Sequence, residues 1–462
     1  MRKQEVNMLS GSITKGLFAI SMPIMIMNVV QSLFNIVDMT VLKSYDTMGT
    51  AVGAVGVCGM LITLITGLLI GVASGANVVV ARFIGEGNRE KVERAIGTSF
   101  AFALAGGVAM AVVGLAFAEV FLRWTNCPEE LLPQAVLYFR LYFTGAPILL
   151  IYNFCAAVLR SAGDSRRPML FLILGGAIKI ACNYICVAFL NMSVAGVAVA
   201  TILSWGVSAG LCIWVLVKNT GIVQLKLSRI RFYKRELTDV LRIGVPAGLQ
   251  RGLYSIANVI ISATVNSFGP DATTGISIAN NFDNILYQIS TAPAMAVMPY
   301  VSQNIGAANV KRAAKSVGRG IMITVVLGGF FGALSAIFSR ELSSIMSDSD
   351  AVIAYSRQKM IIISSTYFIC GINEILGSAL RGMGRPTVAT VATLLFMCAI
   401  RFVWVYLIFP LYPNLTFLYL IWPIGWVLSI TMLLFYYFPT LRKLRRKYEN
   451  AAPLAPALES GK

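Results

Sequence analysis

Long apolar stretches recur along the whole chain, separated by short segments that carry most of the charge. Twelve of these stretches reach the roughly 20 residues that a helix needs to cross a bilayer. They are too long for strands, so the pattern predicts an all-α membrane protein with twelve transmembrane helices. The stretches cover residues 16–42, 51–79, 95–118, 132–157, 168–190, 194–217, 243–268, 275–301, 316–338, 353–378, 386–409 and 416–438.

Landmarks in the first half of the chain return in the second half. Residues 159–163 (Leu-Arg-Ser-Ala-Gly) return 221 positions later as 380–384 (Leu-Arg-Gly-Met-Gly), and 84–88 return at the same spacing as 305–309. Six predicted helices in each half make both halves begin on the same side of the membrane. The pattern therefore predicts two parallel-repeat six-helix bundles around a central cavity.

The repeat also sets the domain boundaries that we expect. An N-terminal lobe covers 1–217 and a C-terminal lobe covers 243–440. In the cytoplasmic connection, 218–242, apolar and charged residues alternate at helical spacing over 230–241, which predicts an amphipathic helix on the inner membrane surface. The tail, 441–462, is first basic and then Ala/Pro-rich, and we expect its end to be disordered.

The charge distribution gives the predicted orientation. The net charge is +18, although only 13% of the 462 residues are charged. With both termini in the cytoplasm, most Lys and Arg residues fall in inner loops, which is the asymmetry of a multi-pass plasma-membrane protein. This basic charge is therefore expected to contact membrane lipid rather than nucleic acid. The basic residues assigned to outer loops are Lys43, Arg123, Arg340, Arg357 and Lys359.

Composition argues against several kinds of chemistry. The chain has no histidine, and its eight cysteines are scattered, so we expect no metal site, no His-based catalytic triad and no cofactor. No phosphate-binding loop pattern occurs, so ATP is not expected to drive the protein directly. We predict no catalytic residues and hence no enzyme.

The first predicted helix carries a polar stripe that ends in an acid. Asn28, Gln31, Asn35 and Asp38 fall within an arc of about 80° on this helix. A charged residue inside a span is costly and is a functional hypothesis by default. Because such a carboxyl can hold either a proton or a cation, Asp38, Asn35 and Gln31 are the predicted coupling-ion site, for H⁺ or Na⁺.

Basic residues inside the spans leave the role of these acids open. Lys179 and Arg401 are 222 positions apart and are therefore repeat equivalents. They could neutralise Asp38 and Asp283, or they could bind an anionic group of the substrate. A structural ion pair between Asp38 and either Lys179 or Arg140 is the alternative to a coupling role.

The seventh and eighth predicted helices each carry polar residues on one face. Such faces are typical of a cavity lining, although interhelical hydrogen bonding would also explain them. Together with Asn28, Lys179 and Arg401, the residues predicted to bind substrate are Gln250, Tyr254, Asn258, Asn280, Asp283, Asn284 and Tyr287.

Over nearly its whole length the chain resembles the multidrug and toxic compound extrusion (MATE) family. The resemblance depends on the twelve helices in two halves and on the order and spacing of several short segments. These segments are Pro23, Gln31 and Asn35-Ile-Val-Asp38; Val158-Leu-Arg-Ser-Ala-Gly163 and Pro168; Gly244-Val-Pro246 and Gln250; Gln303-Asn-Ile-Gly306; and Ala379-Leu-Arg-Gly-Met-Gly-Arg-Pro386.

The resemblance implies an outward pump for small molecules, usually organic cations, which are exchanged for H⁺ or Na⁺ by alternating access. In it, Asp38 is similar to the first-helix carboxylate that binds the coupling ion. The NorM-like branch has further acids where this chain has Tyr254 and Cys370, so the chain looks closer to the DinF-like branch. We expect a monomer. The alternative is a flippase for lipids or lipid-linked oligosaccharides of the same superfamily, which basic residues in the spans would suit.

Overall fold

The computed structural model describes residues 6–45, 50–125 and 127–449, and within these ranges all regular structure is helical. Eight helices there are long and apolar enough to cross a membrane, and two bent helix pairs raise the number to ten. Two further helices, 33 and 37 residues long, carry the polar faces of the seventh and eighth predicted spans. Together they account for the twelve predicted spans, so the predicted fold class is confirmed.

Each long helix contains one predicted span to within a few residues. Those of the N-terminal half are α1 (Ile13–Tyr45), α2 (Ala51–Gly85), α3 (Arg89–Trp124), the bent pair α4 (Leu132–Thr144 and Ala146–Ser161), α5 (Arg166–Phe189) and α6 (Ser193–Lys218). Those of the C-terminal half are α7 (Lys234–Asn266), α8 (Pro270–Gly306), α9 (Val310–Ile337), the bent pair α10 (Asp350–Ser364 and Tyr367–Gly382), α11 (Pro386–Leu411) and α12 (Leu415–Glu449).

Large apolar side chains are exposed on the outer faces of these helices. Val112 on α3, Phe330 on α9 and Phe435 on α12 are 60%, 63% and 79% exposed. Patches of this kind are unstable in water but are the ordinary surface of a helix that faces lipid tails. The exposed residues therefore agree with the apolar stretches in making this a multi-pass membrane protein.

The repeated landmarks are the C-terminal caps of helices. Gly163 follows the end of α4 with φ +89°, and Gly384 follows the end of α10 with φ +80°. After α2 and α8, the equivalent positions Gly87 and Ala308 have φ +67° and +59°. A left-handed residue at this place satisfies the last carbonyl groups of a helix and turns the chain, and glycine adopts it at least cost. The repeat thus preserves the turns as well as the helices.

The amphipathic segment predicted in the connection is helical from Lys234 onward, but it is the beginning of α7 and not a separate helix. A single 3₁₀ turn, Leu227–Arg229, lies there, and α7 begins at Lys234 and continues through Pro246 without a break. Because no helix-breaking residue separates the amphipathic turns from the span, they form the first part of α7. At the other end, the basic residues from 441 to 449 continue α12, while the Ala/Pro-rich remainder of the tail lies outside the described residues.

The described residues form two compact units, and these differ from the predicted lobes at three places. The first unit contains Val6, Pro23–Val80 and Arg89–Gly252, and the second contains Asn7–Met22, Ala81–Asn88 and the chain from Leu253 onward. The beginning of α1 and the end of α2 therefore belong with the C-terminal helices. The first part of α7 belongs with the N-terminal helices.

Close backbone approaches at glycines hold two of the three exchanged segments. In the first unit, Gly71 of α2 lies against the backbone of Gly248, and Gly75 lies against that of Gly244, both on α7. In the second unit, Gly306 of α8 lies against the backbone of Arg82 at the end of α2. Small residues let two helix backbones meet in a way that larger side chains prevent. The end of α2 and the first part of α7 are therefore each held by a contact that admits no side chain.

Substituting Gly71 tests this packing. In Gly71→Ala the new methyl group would overlap the backbone of Gly248, so we expect the unfolding free energy to fall by about 2 kcal/mol or more. Gly206→Ala on α6 is the matched control, because its methyl group meets no atom within 4 Å. That change should leave stability equal or raise it by up to about 1 kcal/mol. Thermal unfolding of the detergent-solubilised proteins compares the two, and equal midpoints would contradict the close approach.

Candidate functional site

Asp38 is buried on α1 and both of its carboxylate oxygens are occupied. Lys179 Nζ lies 2.5 Å from Asp38 Oδ2, and Asn183 Nδ2 donates to Asp38 Oδ1 at 2.5 Å. Both donors stand on α5, one helical turn apart, so they project from the same face of that helix. Of the two partners that the sequence left open, Lys179 is the one in contact. Arg140 is exposed on α4.

The rest of the α1 stripe does not assemble around Asp38. Gln31 and Asn35 are exposed, Asn28 is half-buried, and none of the three is hydrogen-bonded to the carboxylate within the described part of the chain. The structure therefore does not bring the predicted trio of Asp38, Asn35 and Gln31 together. Lys179 offers a full charge across the helix contact, which a carboxylate in a low-dielectric setting binds more strongly than a neutral amide.

Asp283 is neutralised by Lys359, one of the lysines that we predicted in an outer loop. Lys359 Nζ lies 3.0 Å from Asp283 Oδ2, and the same amine donates to Asn280 Oδ1. Lys359 is 3% exposed and belongs to the first segment of α10, so its assignment to an outer loop is wrong. Its long apolar stem allows the amine to reach inward from a position near the end of a span. The unpaired acid in the eighth predicted span was the signal that could have identified it.

Arg401, the repeat equivalent of Lys179, is also buried but has neutral partners. Its Nη1 donates to Asn258 Oδ1 at 2.5 Å, and its guanidinium lies over the rings of Tyr254 and Trp422, at 4.7 and 5.2 Å from their centroids. No carboxylate lies within ion-pair distance of it among residues 6–45, 50–125 and 127–449. Three residues predicted to bind substrate therefore meet here. Trp422 was not predicted.

The backbone of α11 is irregular on both sides of Arg401. Leu394–Ala399 and Trp404–Ile408 are π-helical and enclose a short α-helical turn, Ile400–Val403. In α5 a π-helical segment, Ile185–Phe189, follows Lys179. Such segments rotate the side chains that follow them and occur frequently at functional sites. The two repeat-equivalent cations thus both lie on helices with this distortion.

The remaining predicted residues are more dispersed. Gln250 is half-buried on the first part of α7, in the first unit, and Asn284 and Tyr287 are exposed on α8, in the second. Tyr287 shares one helical face with Asp283, as predicted. Near the end of α10, Glu374 pairs with Arg381 at 3.7 Å.

Twelve long helices in two repeated halves, with ion pairs buried inside the spans, define a membrane transporter rather than an enzyme. A family model described as MatE matches the chain twice, over residues 23–185 and 246–407. The matches begin 223 positions apart, in agreement with the repeated landmarks. The chain belongs to the MATE family, as the resemblance in the sequence indicated.

Proteins similar to this chain carry transport names. A probable multidrug resistance protein, YoeA of Bacillus subtilis, is 26% identical over 390 residues, which cover 82% of this chain and 84% of the relative. A FAD transporter of Shewanella oneidensis is 23% identical and covers 85% and 87% of the two chains. A solved outward-facing structure of a multidrug resistance MATE transporter is 21% identical, with a TM-score of 0.88 and coverage of 96% and 100%. This last likeness shows the fold.

Breaking the Asp283–Lys359 pair should destabilise the protein. Asp283→Asn leaves a buried ammonium without its counter-charge, for which we expect a loss of about 3–5 kcal/mol in unfolding free energy. Removing both charges, with Asp283→Asn and Lys359→Met together, should recover most of that loss. Glu90→Gln, which breaks an exposed pair with Arg94, is the control and should leave the unfolding midpoint unchanged. Asp283→Asn with a wild-type midpoint would exclude an ion pair of this kind.

Proposed function

We propose that this protein is a secondary active exporter of small molecules, principally organic cations, that exchanges them for protons by alternating access. The observation that carries the proposal is the buried Asp38–Lys179 pair between α1 and α5. The names of its relatives support a multidrug role. The fold supports two repeated halves that can move as bodies.

A proton on Asp38 changes the contact between α1 and α5. In the deprotonated state the carboxylate accepts hydrogen bonds from Lys179 and Asn183. Protonation removes the negative charge and leaves the ammonium of Lys179 without a counter-ion inside a span, which is unfavourable. The helix contact therefore has two arrangements, and the proton selects between them. A substrate that favours one arrangement is coupled to the proton by the same free energy.

Protons suit this arrangement better than sodium ions. A sodium site needs several oxygen ligands, and both oxygens of Asp38 are occupied by nitrogen donors. We also infer that the chain is closer to the DinF-like than the NorM-like branch. The support is that Tyr254 and Cys370 stand where the NorM-like branch has acids.

Transport in proteoliposomes tests the coupling role of Asp38. With an imposed pH gradient and a fluorescent organic cation, we expect Asp38→Asn to reduce uptake to the level of empty liposomes, because the amide cannot carry the proton. A sodium gradient is applied separately. If uptake is driven only by sodium and is lost in the variant, Asp38 is still the coupling site, but the coupling ion is sodium. Proton-driven uptake that is unchanged in Asp38→Asn would refute the proposal and direct attention to Asp283.

A double variant separates coupling from stability. Asp38→Asn alone leaves Lys179 unpaired, so loss of transport could reflect unfolding. Asp38→Asn combined with Lys179→Met removes both charges, and we expect its unfolding midpoint to return toward wild type while proton-driven uptake stays absent. A stable double variant that still concentrates the cation in response to a pH gradient would show that the pair is structural only.

The surroundings of Arg401 favour a second candidate function, the transport of anionic substrates. A buried guanidinium with neutral partners is able to accept the carboxylate or phosphate of a ligand, and the rings of Tyr254 and Trp422 offer stacking surfaces beside it. The similarity to a FAD transporter supports this candidate, since that substrate is an anionic, aromatic molecule. The flippase alternative gains no comparable support from the relatives.

Kinetics of Arg401→Gln distinguish the two candidates. If Arg401 binds an anionic group, KM for a flavin nucleotide should rise about 10- to 100-fold, which is the value of one charge-assisted hydrogen bond. KM for an organic cation should stay the same or fall. Arg401→Lys keeps the charge and should recover part of the affinity, and Arg140→Gln, at an exposed position, is the control. If KM for the flavin nucleotide does not change in Arg401→Gln, the anionic-substrate candidate is refuted and only the organic-cation function remains.

Orientation and assembly follow from the same features. The excess of Lys and Arg in the loops assigned to the inner side supports a plasma-membrane protein with both termini in the cytoplasm. Each unit contains its own buried ion pair, Asp38–Lys179 in the first and Asp283–Lys359 in the second. This supports a monomer as the transporting species.

A further inference from the structure

A groove in the second unit lies between the start of α1 and one face of α9. Its volume is about 540 Å³, within the range of ligand sites. Ser12 and Thr14 line it on one side, and Arg312, Lys315 and Arg319 line it on the other. These three basic residues stand at i, i+3 and i+7, so they share one face of α9. The groove is independent of the ion pairs that are proposed to couple transport.

The three cations play different parts. The guanidinium of Arg312 is hydrogen-bonded within the protein. It donates to the backbone oxygens of Met8, Ser10 and Gly11 at 2.9, 2.6 and 3.0 Å. These hydrogen bonds hold the N-terminal segment against α9. Lys315 and Arg319 are exposed, and neither has a carboxylate within 4 Å in the described part of the chain. Two positive charges are therefore left facing the groove without a protein anion.

The shape of the groove suits a compact anion. Gly318 lines the groove next to the two cations, on an exposed part of α9, and a methyl group at this position would meet no atom within 4 Å. Packing against the described residues does not require a glycine there, and glycine weakens a helix interior. The missing side chain keeps the floor of the groove open beside Lys315 and Arg319. The opposite wall is the N-terminal turn of α1, a 33-residue helix whose N–H groups and dipole favour negative charge.

Apolar side chains adjoin the basic groove on one side. Met322 is part of the lining, and Val325 and Val326 follow it on α9, while Phe18 lies one turn further along α1. All four are exposed, between 39% and 61%. A cationic pocket that borders a lipid-facing band matches the two parts of a phospholipid, an anionic headgroup and its acyl chains. A free phosphate would use only the first part.

We propose that this groove binds the phosphate of an anionic phospholipid headgroup, with the acyl chains along the exposed residues of α1 and α9. On the predicted orientation the groove faces the cytoplasmic leaflet, where basic residues meet anionic lipid. Lys315 and Arg319 bind the phosphate, and Arg312 holds the opposite wall in place.

Lipid binding to the purified full-length chain tests the proposal. Native mass spectrometry in detergent measures binding of phosphatidylglycerol and of phosphatidylcholine with the same acyl chains. We expect wild type to bind the first phosphatidylglycerol about tenfold more tightly than phosphatidylcholine. Lys315→Gln combined with Arg319→Gln should abolish this preference. The matched control, Lys443→Gln with Arg446→Gln on α12, removes the same charges elsewhere and should retain it.

Two further measurements separate the groove from diffuse charge and from free phosphate. Gly318→Leu keeps every charge but fills the floor, and we expect it to lose the preference as well. Glycerol 3-phosphate carries the headgroup chemistry without acyl chains and should bind at least about tenfold more weakly than phosphatidylglycerol. Equal loss in the α12 control, or no loss in Gly318→Leu, would overturn the groove as the site. Glycerol 3-phosphate that binds as tightly as the lipid would overturn the lipid as its occupant.

Discussion

The high free energy of an ionised group in hydrocarbon is the constraint on which this structure depends. Asp38 and Asp283 are buried within spans, and each has a lysine from a different helix at its carboxylate. Such a pair is not a strong source of stability, because both groups have lost their hydration. It is a strong source of specificity, because any helix arrangement that separates the partners leaves a bare charge. While the carboxyl groups are ionised, the pairs therefore favour the contacts between α1 and α5 and between α8 and α10.

The two halves repeat their helices but not their charges. Lys179 and Arg401 are equivalent, and each reaches from the fifth helix of its half to the first. In the first half that contact is an ion pair with Asp38, whereas in the second it joins a guanidinium to an amide and two aromatic rings. One architecture therefore provides a buried ion pair in one half and a buried cation with neutral partners in the other. This difference would let the two units perform different tasks.

The sequence was sufficient to predict the features that depend on the order of neighbouring residues. The lengths of the apolar stretches located all twelve spans. Asp38 was predicted as a site residue because it is the one acidic residue on α1. Partners across helices were harder to predict, because linear order does not say which helices meet. Lys359 stands near the end of a predicted span, where a lysine can extend toward water or toward the interior, and only its neighbour Asp283 decides between them. Once the contact between Lys179 and α1 was known, the repeat could have predicted that Arg401 contacts α7, at Tyr254 and Asn258. The start of α7 was not predicted. An amphipathic segment with no helix-terminating residue has the same sequence pattern whether it lies on the membrane surface or continues into a span.

The exchanged segments also affect the order in which this protein can be completed during synthesis. The ribosome releases all six N-terminal helices before residue 234, yet the first unit includes the chain as far as Gly252. Its glycine contacts with α2 must wait until the beginning of α7 has emerged. The residues from Asn7 to Met22 wait longer, since their unit is finished only by the last helices. A gene cut between α6 and α7 would consequently produce two polypeptides, neither of which holds all the parts of one unit.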